Sequence, residues 1–182
     1  MVDKDTFEIG LYVLELTPYY FELLWREWRS WKDWYLPRWS LKGTTALDVG
    51  AGCGETALFY YCQGVRRVIA IEPRPSLVSL LKRNIARNTW GMEVVEGPFE
   101  RSMLGWNFEF MKMDGVGCEG LLSEAGSLPS CAIEVHDRVY FDGLRERLGL
   151  EVLPQKANWI LQNFAQRPNH RGTESEAHGR NA

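Results

Sequence analysis

Short runs rich in β-branched and apolar residues alternate along the middle of the chain with segments of helical spacing. Thr44–Asp48 (TTALD) is the first such run and ends at a glycine-rich turn. Val68–Glu72 (VIAIE) is the second, closed by Pro73. Glu93–Glu96 is the third, Phe108–Asp114 (FEFMKMD) the fourth and Ala132–His136 (AIEVH) the fifth. Runs this short, bounded by turn residues, predict strands. Glu55 to about Gln63 opens a helix directly after the glycines. In Ser76–Asn88, residues Leu77, Leu80, Leu81 and Ile85 share one helical face. This alternation predicts a parallel sheet with helices on both faces. The segment between the third and fourth strands is short, so its helix is expected to shrink to one turn around Arg101–Gly105. Farther on, Leu150–Leu153 and Trp159–Phe164 are β-rich runs separated by PQKAN, the pattern of a hairpin.

The two ends read differently. Residues 1–40 are aromatic and helical in pattern and are expected to form an N-terminal extension or lid on a domain spanning 41–166. Trp25, Trp28, Trp31 and Trp34 recur every three residues, interleaved with Arg26, Arg29 and Lys32. On a helix this spacing makes a slowly drifting stripe. Such a stripe either packs on the sheet, as aromatic stripes usually do, or presents an aromatic and basic surface to a pocket or to RNA bases. Residues 167–182 are polar and unpatterned, and are expected to be a mobile tail.

With 182 residues, 45% apolar and 25% charged, the chain has enough material for one domain with a buried core. A net charge of −3 supplies no global basic field for nucleic acid or an anionic membrane. No apolar run is long enough to span a bilayer, and MVDKDTFEIG lacks an apolar signal core, so a cytoplasmic protein is expected. Cys53, Cys62, Cys118 and Cys131 have no CxxC spacing and do not cluster with His136, His170 or His178. No metal site is therefore expected.

The candidate chemistry begins at the first turn. Asp48-Val-Gly50-Ala-Gly52-Cys-Gly54 lies between a predicted strand and a predicted helix. Glycines there permit a sharp turn and close approach of a ligand to the backbone. The next strand ends in Glu72, where a carboxylate meets the hydroxyls of a nucleoside ribose. A dinucleotide fingerprint would read GxGxxG, but this loop reads GxGxG, with Glu55 in place of the third glycine. A glutamate at a helix start repels a pyrophosphate. S-adenosyl-L-methionine has no phosphate and carries an ammonium and a sulfonium, so it suits this turn better.

LDVGAGCGETALF, VIAIEPRPSLVSLLKRNIARN, FMKMDGVGCEG and CAIEVHD occur in this order. Together they resemble the FkbM-type branch of class I S-adenosylmethionine-dependent methyltransferases, over roughly Thr44 to Phe164. The EPxP turn at Glu72–Pro75 and the KxDxxGxE segment at Lys112–Glu119 carry most of the likeness. The resemblance implies a Rossmann-like α/β sheet of seven strands, mostly parallel, whose last strand is antiparallel. It implies that Asp48, Gly50, Gly52 and Gly54 hold the methionine portion of the cofactor and that Glu72 binds the ribose. Glu96–Phe99 would line the adenine, and Asp114 would stand where substrate and methyl group meet. The family commonly has an acid where Val116 stands here.

Methyl transfer needs the acceptor held behind the methyl group and, for an alcohol, removal of a proton. Asp114, Glu119, Glu134 and His136 are the candidates at the strand tips. Glu134 and His136 lie two apart on a strand and face one side. His136 is the expected base near neutral pH, and Glu119 is a substitute for the carboxylate absent at Val116. Lys112 is expected to be a supporting cation, and Cys53 and Cys118 packing residues. The leading expectation is O-methylation of a sugar or other small metabolite. The alternatives are a module that binds S-adenosylmethionine without turnover, motivated by Val116, and an RNA methyltransferase, motivated by the basic aromatic segment.

Overall fold

The computed structural model describes residues 6–9, 11–153 and 159–163. The PQKAN connection and the tail from Arg167 lie outside them. Strands β3 (Thr45–Val49), β4 (Arg67–Glu72), β5 (Met92–Glu96), β6 (Phe110–Met113), β7 (Cys131–Val135), β8 (Glu151–Leu153) and β9 (Trp159–Asn163) form one sheet in the order β5-β4-β3-β6-β7-β9-β8. The pairs among β3 to β7 are parallel, and β9 runs antiparallel to both β7 and β8. The predicted strands fall within two residues of these bounds, and the terminal antiparallel pair is present. The link from β5 to β6 carries only a 3-10 turn at Arg101–Gly105.

Burial on both faces explains the continuous apolar runs in the strands. Alternate residues divide between two cores. Ala46, Val68 and Ala70 face one core with Phe59, Tyr60 and Leu81, whereas Leu47, Val49, Ile69 and Ile71 face the other with Met111 and Phe141. Helices α3 (Glu55–Cys62), α4 (Pro75–Asn88) and α5 (Arg138–Leu148) follow β3, β4 and β7. Asp137 caps α5 by accepting from the Val139 amide, and Gly149 ends it in the left-handed conformation.

The N-terminal segment departs from the expected helical pattern. It opens with two antiparallel strands, β1 (Thr6–Ile9) and β2 (Tyr12–Glu15). In β1, Phe7 and Ile9 alternate with Thr6 and Glu8, a period of two that competes with the helical reading. The edge of β2 that does not face β1 is held by carboxamides. Asn88 accepts from Val13 N at 2.8 Å and Asn84 from Glu15 N at 2.8 Å, and both donate back to the carbonyls of those residues. Four residues apart on α4, these side chains share a face, so one helix satisfies an otherwise open strand edge.

The tryptophan run is not one helix. It divides into α1 (Pro18–Glu27) and α2 (Trp31–Tyr35), with Thr17 capping the first through the Tyr20 amide. The break turns Trp31 and Tyr35 into the core, both 1% exposed. Trp28 and Trp31 each meet Phe59 edge-on. Of the four tryptophans, Trp25 alone is largely exposed. Arg26 pairs with Glu22 and Arg38 with Glu151. Trp28, Trp31 and Trp34 therefore pack, while Trp25, Arg26, Arg29 and Lys32 remain exposed. No helix among the described residues is long and apolar enough to cross a membrane.

Two substitutions probe this packing. A Cβ on Gly50, at φ +76°, would lie 2.1 Å from the Asp114 carbonyl oxygen. Gly50→Ala is expected to destabilise the fold by about 2 kcal/mol or more, measured by urea unfolding. Trp31→Ala is expected to cost about 3–5 kcal/mol in the same experiment. Values near zero would show that these positions relax freely.

Candidate functional site

The carboxyl ends of β3, β4, β6 and β7 open into a cavity of about 680 Å³. It lies where the strand order reverses, the usual ligand crevice of open α/β sheets. Of the residues singled out in sequence, Gly50, Glu72, Phe99, Asp114 and His136 line it. Asp48, Gly52, Gly54, Glu96 and Glu119 are not among its lining residues. Tyr20, Glu27 and Trp31 line it from the N-terminal helices, and Glu55 and Thr56 from the start of α3.

Asp48 is fully buried and engages its own chain. Its Oδ2 accepts from Thr56 Oγ1 at 2.5 Å, and its Oδ1 lies 3.2 Å from Lys112 Nζ. Lys112 also donates to the Gly50 carbonyl at 3.1 Å. Asp48, expected to hold the methionine portion of the cofactor, thus stands behind Thr56 and Gly50 rather than on the cavity wall. Burial alone would lower the Lys112 pKa, but Asp48, Asp114 and Glu55 outweigh it and hold the ammonium charged.

The glycine turn is required by the chain before any ligand arrives. At Gly52 (φ +55°) a Cβ would meet Glu55 Oε1 at 2.6 Å and Tyr20 Cε1 at 2.7 Å. Glu72 fastens the same loop. Its Oε2 accepts from Gly52 N at 3.0 Å, and its Oε1 accepts from Arg74 N and Nε at 3.0 and 3.1 Å. Glu96, expected to line the adenine, instead pairs with Lys82 at 3.0 Å on the exposed side of the sheet, while Pro98 and Phe99 line the cavity.

At the far end, the β6–β7 register sets Met113 beside Ile133, so Asp114 and Glu134 are neighbours. His136 Nε2 lies 3.3 Å from Asp114 Oδ1 and 3.9 Å from Glu134 Oε1. Tyr35 donates to Glu134 Oε2 at 2.9 Å. Glu119 is buried behind the site, where its Oε1 accepts from the His136 amide at 3.1 Å. It does not stand in for a carboxylate at Val116, which is 83% exposed at the cavity rim. The hydrogen bond to Asp114 raises the His136 pKa, against burial, and the neighbouring carboxylates add to the rise. The rise favours the protonated imidazole and so works against His136 as a base.

Glu27, Tyr20 and Thr56 are lining residues that sequence reasoning missed. Burial pushes the Glu27 carboxyl up to about 7, against the hydrogen bond from Trp31, and Glu134 and Asp114 add to the rise. The one local signal for Glu27 is a position four residues before Trp31, whose indole donates to it at 3.4 Å.

No protein-family model and no curated protein matches the chain. Solved structures do. Aeropyrum pernix fibrillarin with natively bound S-adenosyl-L-methionine is similar at TM-score 0.51 and 13% identity, over 69% of each chain. The C-terminal domain of precorrin-6Y C5,15-methyltransferase from Rhodobacter capsulatus is similar at TM-score 0.51 and 21% identity, over 72% of this chain and 83% of that one. Ribosomal protein L11 methylase from Lactobacillus delbrueckii subsp. bulgaricus is similar at TM-score 0.53 and 16% identity, over 66% and 68%. The chain has the Rossmann-like fold of these methyltransferases.

Glu55 ties the site to pH. Fully buried at the start of α3, its carboxyl is pushed by burial from 4.5 to about 8, against hydrogen bonds from backbone amides. A raised folded-state pKa contributes stability that is complete below the unfolded value and is lost as pH rises through the folded value. Between about pH 5 and about pH 9 the wild-type Tm is expected to fall more than that of Glu55→Gln. Parallel pH profiles from differential scanning calorimetry would disprove this.

Proposed function

We propose that the protein is an S-adenosylmethionine-dependent methyltransferase that acts on a hydroxyl of a small molecule. The observation that carries this reading is the carboxyl-rich lining of the cavity. Glu72, Asp114 and Glu134 border it together with Glu27 and Glu55, whose carboxyls burial pushes up to about 7 and about 8, against Arg74 and His136. Such a wall suits a ligand with an ammonium and a sulfonium and opposes a pyrophosphate. The motif order described above and the fold shared with methyltransferases support the same reading.

In this reading Glu72 accepts from the ribose hydroxyls, in exchange for part of its hold on Gly52 and Arg74. Phe99 and Pro98 flank the adenine. Thr56, set by Asp48, and Glu55 face the methionine portion. Bound there, S-adenosylmethionine supplies an electrophilic methyl group on a cationic sulfur. Asp114, Glu134 and His136 border the acceptor half, and Tyr20 and Trp31 close it from above the sheet. Excluding water and fixing the acceptor close to the methyl group lowers the barrier by positioning. Val116 at the rim leaves the polar groups of the floor in place, which favours turnover over a module that only binds.

Calorimetric titration with S-adenosylhomocysteine tests this. Wild type is expected to bind, and Glu72→Gln to weaken binding by about 1.5–3 kcal/mol, the range for a hydrogen bond to a charged group. Absence of binding by a folded wild-type protein would remove the proposal.

A further inference from the structure

We infer that Asp114, Glu134 and His136 form a binding site for a divalent metal ion in the acceptor half of the cavity. Each residue offers one donor atom, and the three donors lie within 4.8 Å of one another. Metal–ligand bonds of about 2.1 Å put adjacent donors of a six-coordinate ion about 3.0 Å apart and opposite donors about 4.2 Å apart. The observed His136–Asp114 and His136–Glu134 separations, 3.3 and 3.9 Å, lie between these values. Small side-chain rotations complete the set. Two carboxylates and one imidazole make a mixed hard and borderline donor set, suited to ions such as Mn²⁺.

The surroundings of the three ligands point the same way. A metal-bound histidine generally turns its other nitrogen to a carboxylate or carbonyl, which fixes its tautomer. Behind His136, Glu119 is 1% exposed, and its Oε1 lies 3.8 Å from His136 Nδ1. Glu119 Oε2 and His136 Nδ1 are both buried with no hydrogen-bond partner among the described residues. A neutral imidazole that carries its proton on Nδ1 and binds a metal through Nε2 lets these two orphaned groups meet. Glu134 is oriented by the Tyr35 hydroxyl, and Asp114 has Lys112 at 3.9 Å. Each ligand thus has a buried partner on the side away from the cavity.

Three protein ligands leave about three positions of a six-coordinate ion open to the cavity. Oxygen atoms of an acceptor can fill them, which fixes the acceptor and favours the ionised form of a bound hydroxyl. This consequence rests on the methyltransferase reading; the metal site itself does not.

The test is titration of chelator-treated protein with Mn²⁺, following loss of the free-ion electron paramagnetic resonance signal. Wild type is expected to bind about one ion per chain and to gain thermal stability on binding. Glu134→Gln and His136→Gln are each expected to weaken binding at least about tenfold. Tyr35→Phe, which keeps the ligands but removes the orienting hydroxyl, should weaken it by a similar factor. Melting curves without metal confirm that each variant is folded. If folded wild type binds no Mn²⁺, or if the variants bind it as wild type does, the site is overturned. Titration of the same samples with S-adenosylhomocysteine separates the two readings. Homocysteine-ligand binding without Mn²⁺ binding removes the metal alone, and the reverse removes the methyltransferase reading while the metal site stands.

Discussion

A lysine ammonium buried in the middle of a parallel sheet is the constraint on which the rest depends. Lys112 is 1% exposed, and removing such a charge from water costs several kcal/mol unless it is paired. Its partners are Asp48 from β3, the Gly50 carbonyl from the loop and, farther off, Asp114 after β6. The Tyr35 ring closes over it at 5.9 Å. One cation therefore joins two strand tips, the glycine turn and the N-terminal helices. Asp48 in turn fixes Thr56, the first threonine of α3. Both halves of the cavity are set by this cluster, and none of its members needs to touch a ligand to do so.

The N-terminal segment has a larger part than an extension would. Tyr20, Glu27 and Trp31 wall the cavity, Tyr35 orients Glu134, and Asn84 and Asn88 hold β2 to α4. Gln162 on β9 also donates to the carbonyls of Asp33 and Trp34. The segment is thus fastened both to α4 and to β9. Its tryptophans supply a large part of the core that a short α/β sheet would otherwise lack on that face.

The glycine turn shows how two explanations of one motif differ. Close approach of a ligand is one reason for glycine, but at Gly50 the nearest group is the Asp114 carbonyl, and at Gly52 it is Glu55 and Tyr20. Self-packing already excludes a side chain there. The motif is consequently as much a folding requirement as a binding one, and its presence alone argues less for a ligand than the acidic lining beside it.

The succession of strands β3 to β9 along the chain, the loop between β3 and α3, the shrunken crossover at Arg101–Gly105 and the acids at the strand tips were legible in the sequence. They are local: period, turn chemistry and strand ends are properties of neighbouring residues. What Asp48, Glu96 and Glu119 do was not legible, because each is decided by a partner far along the chain: Lys112 for Asp48, Lys82 for Glu96 and the His136 amide for Glu119. The same holds for Glu27, whose facing groups lie on strands more than eighty residues away. The spacing along β7 put Glu134 beside His136 in sequence, and only the register of β6 against β7 brought Asp114 to them. The chain by itself determined which residues could carry charge to the tips of a parallel sheet. The tertiary structure decided which of those charges neutralise one another in the core and which remain facing the cavity, because burial makes every unpaired charge costly and so leaves pairing, not position, to assign the role.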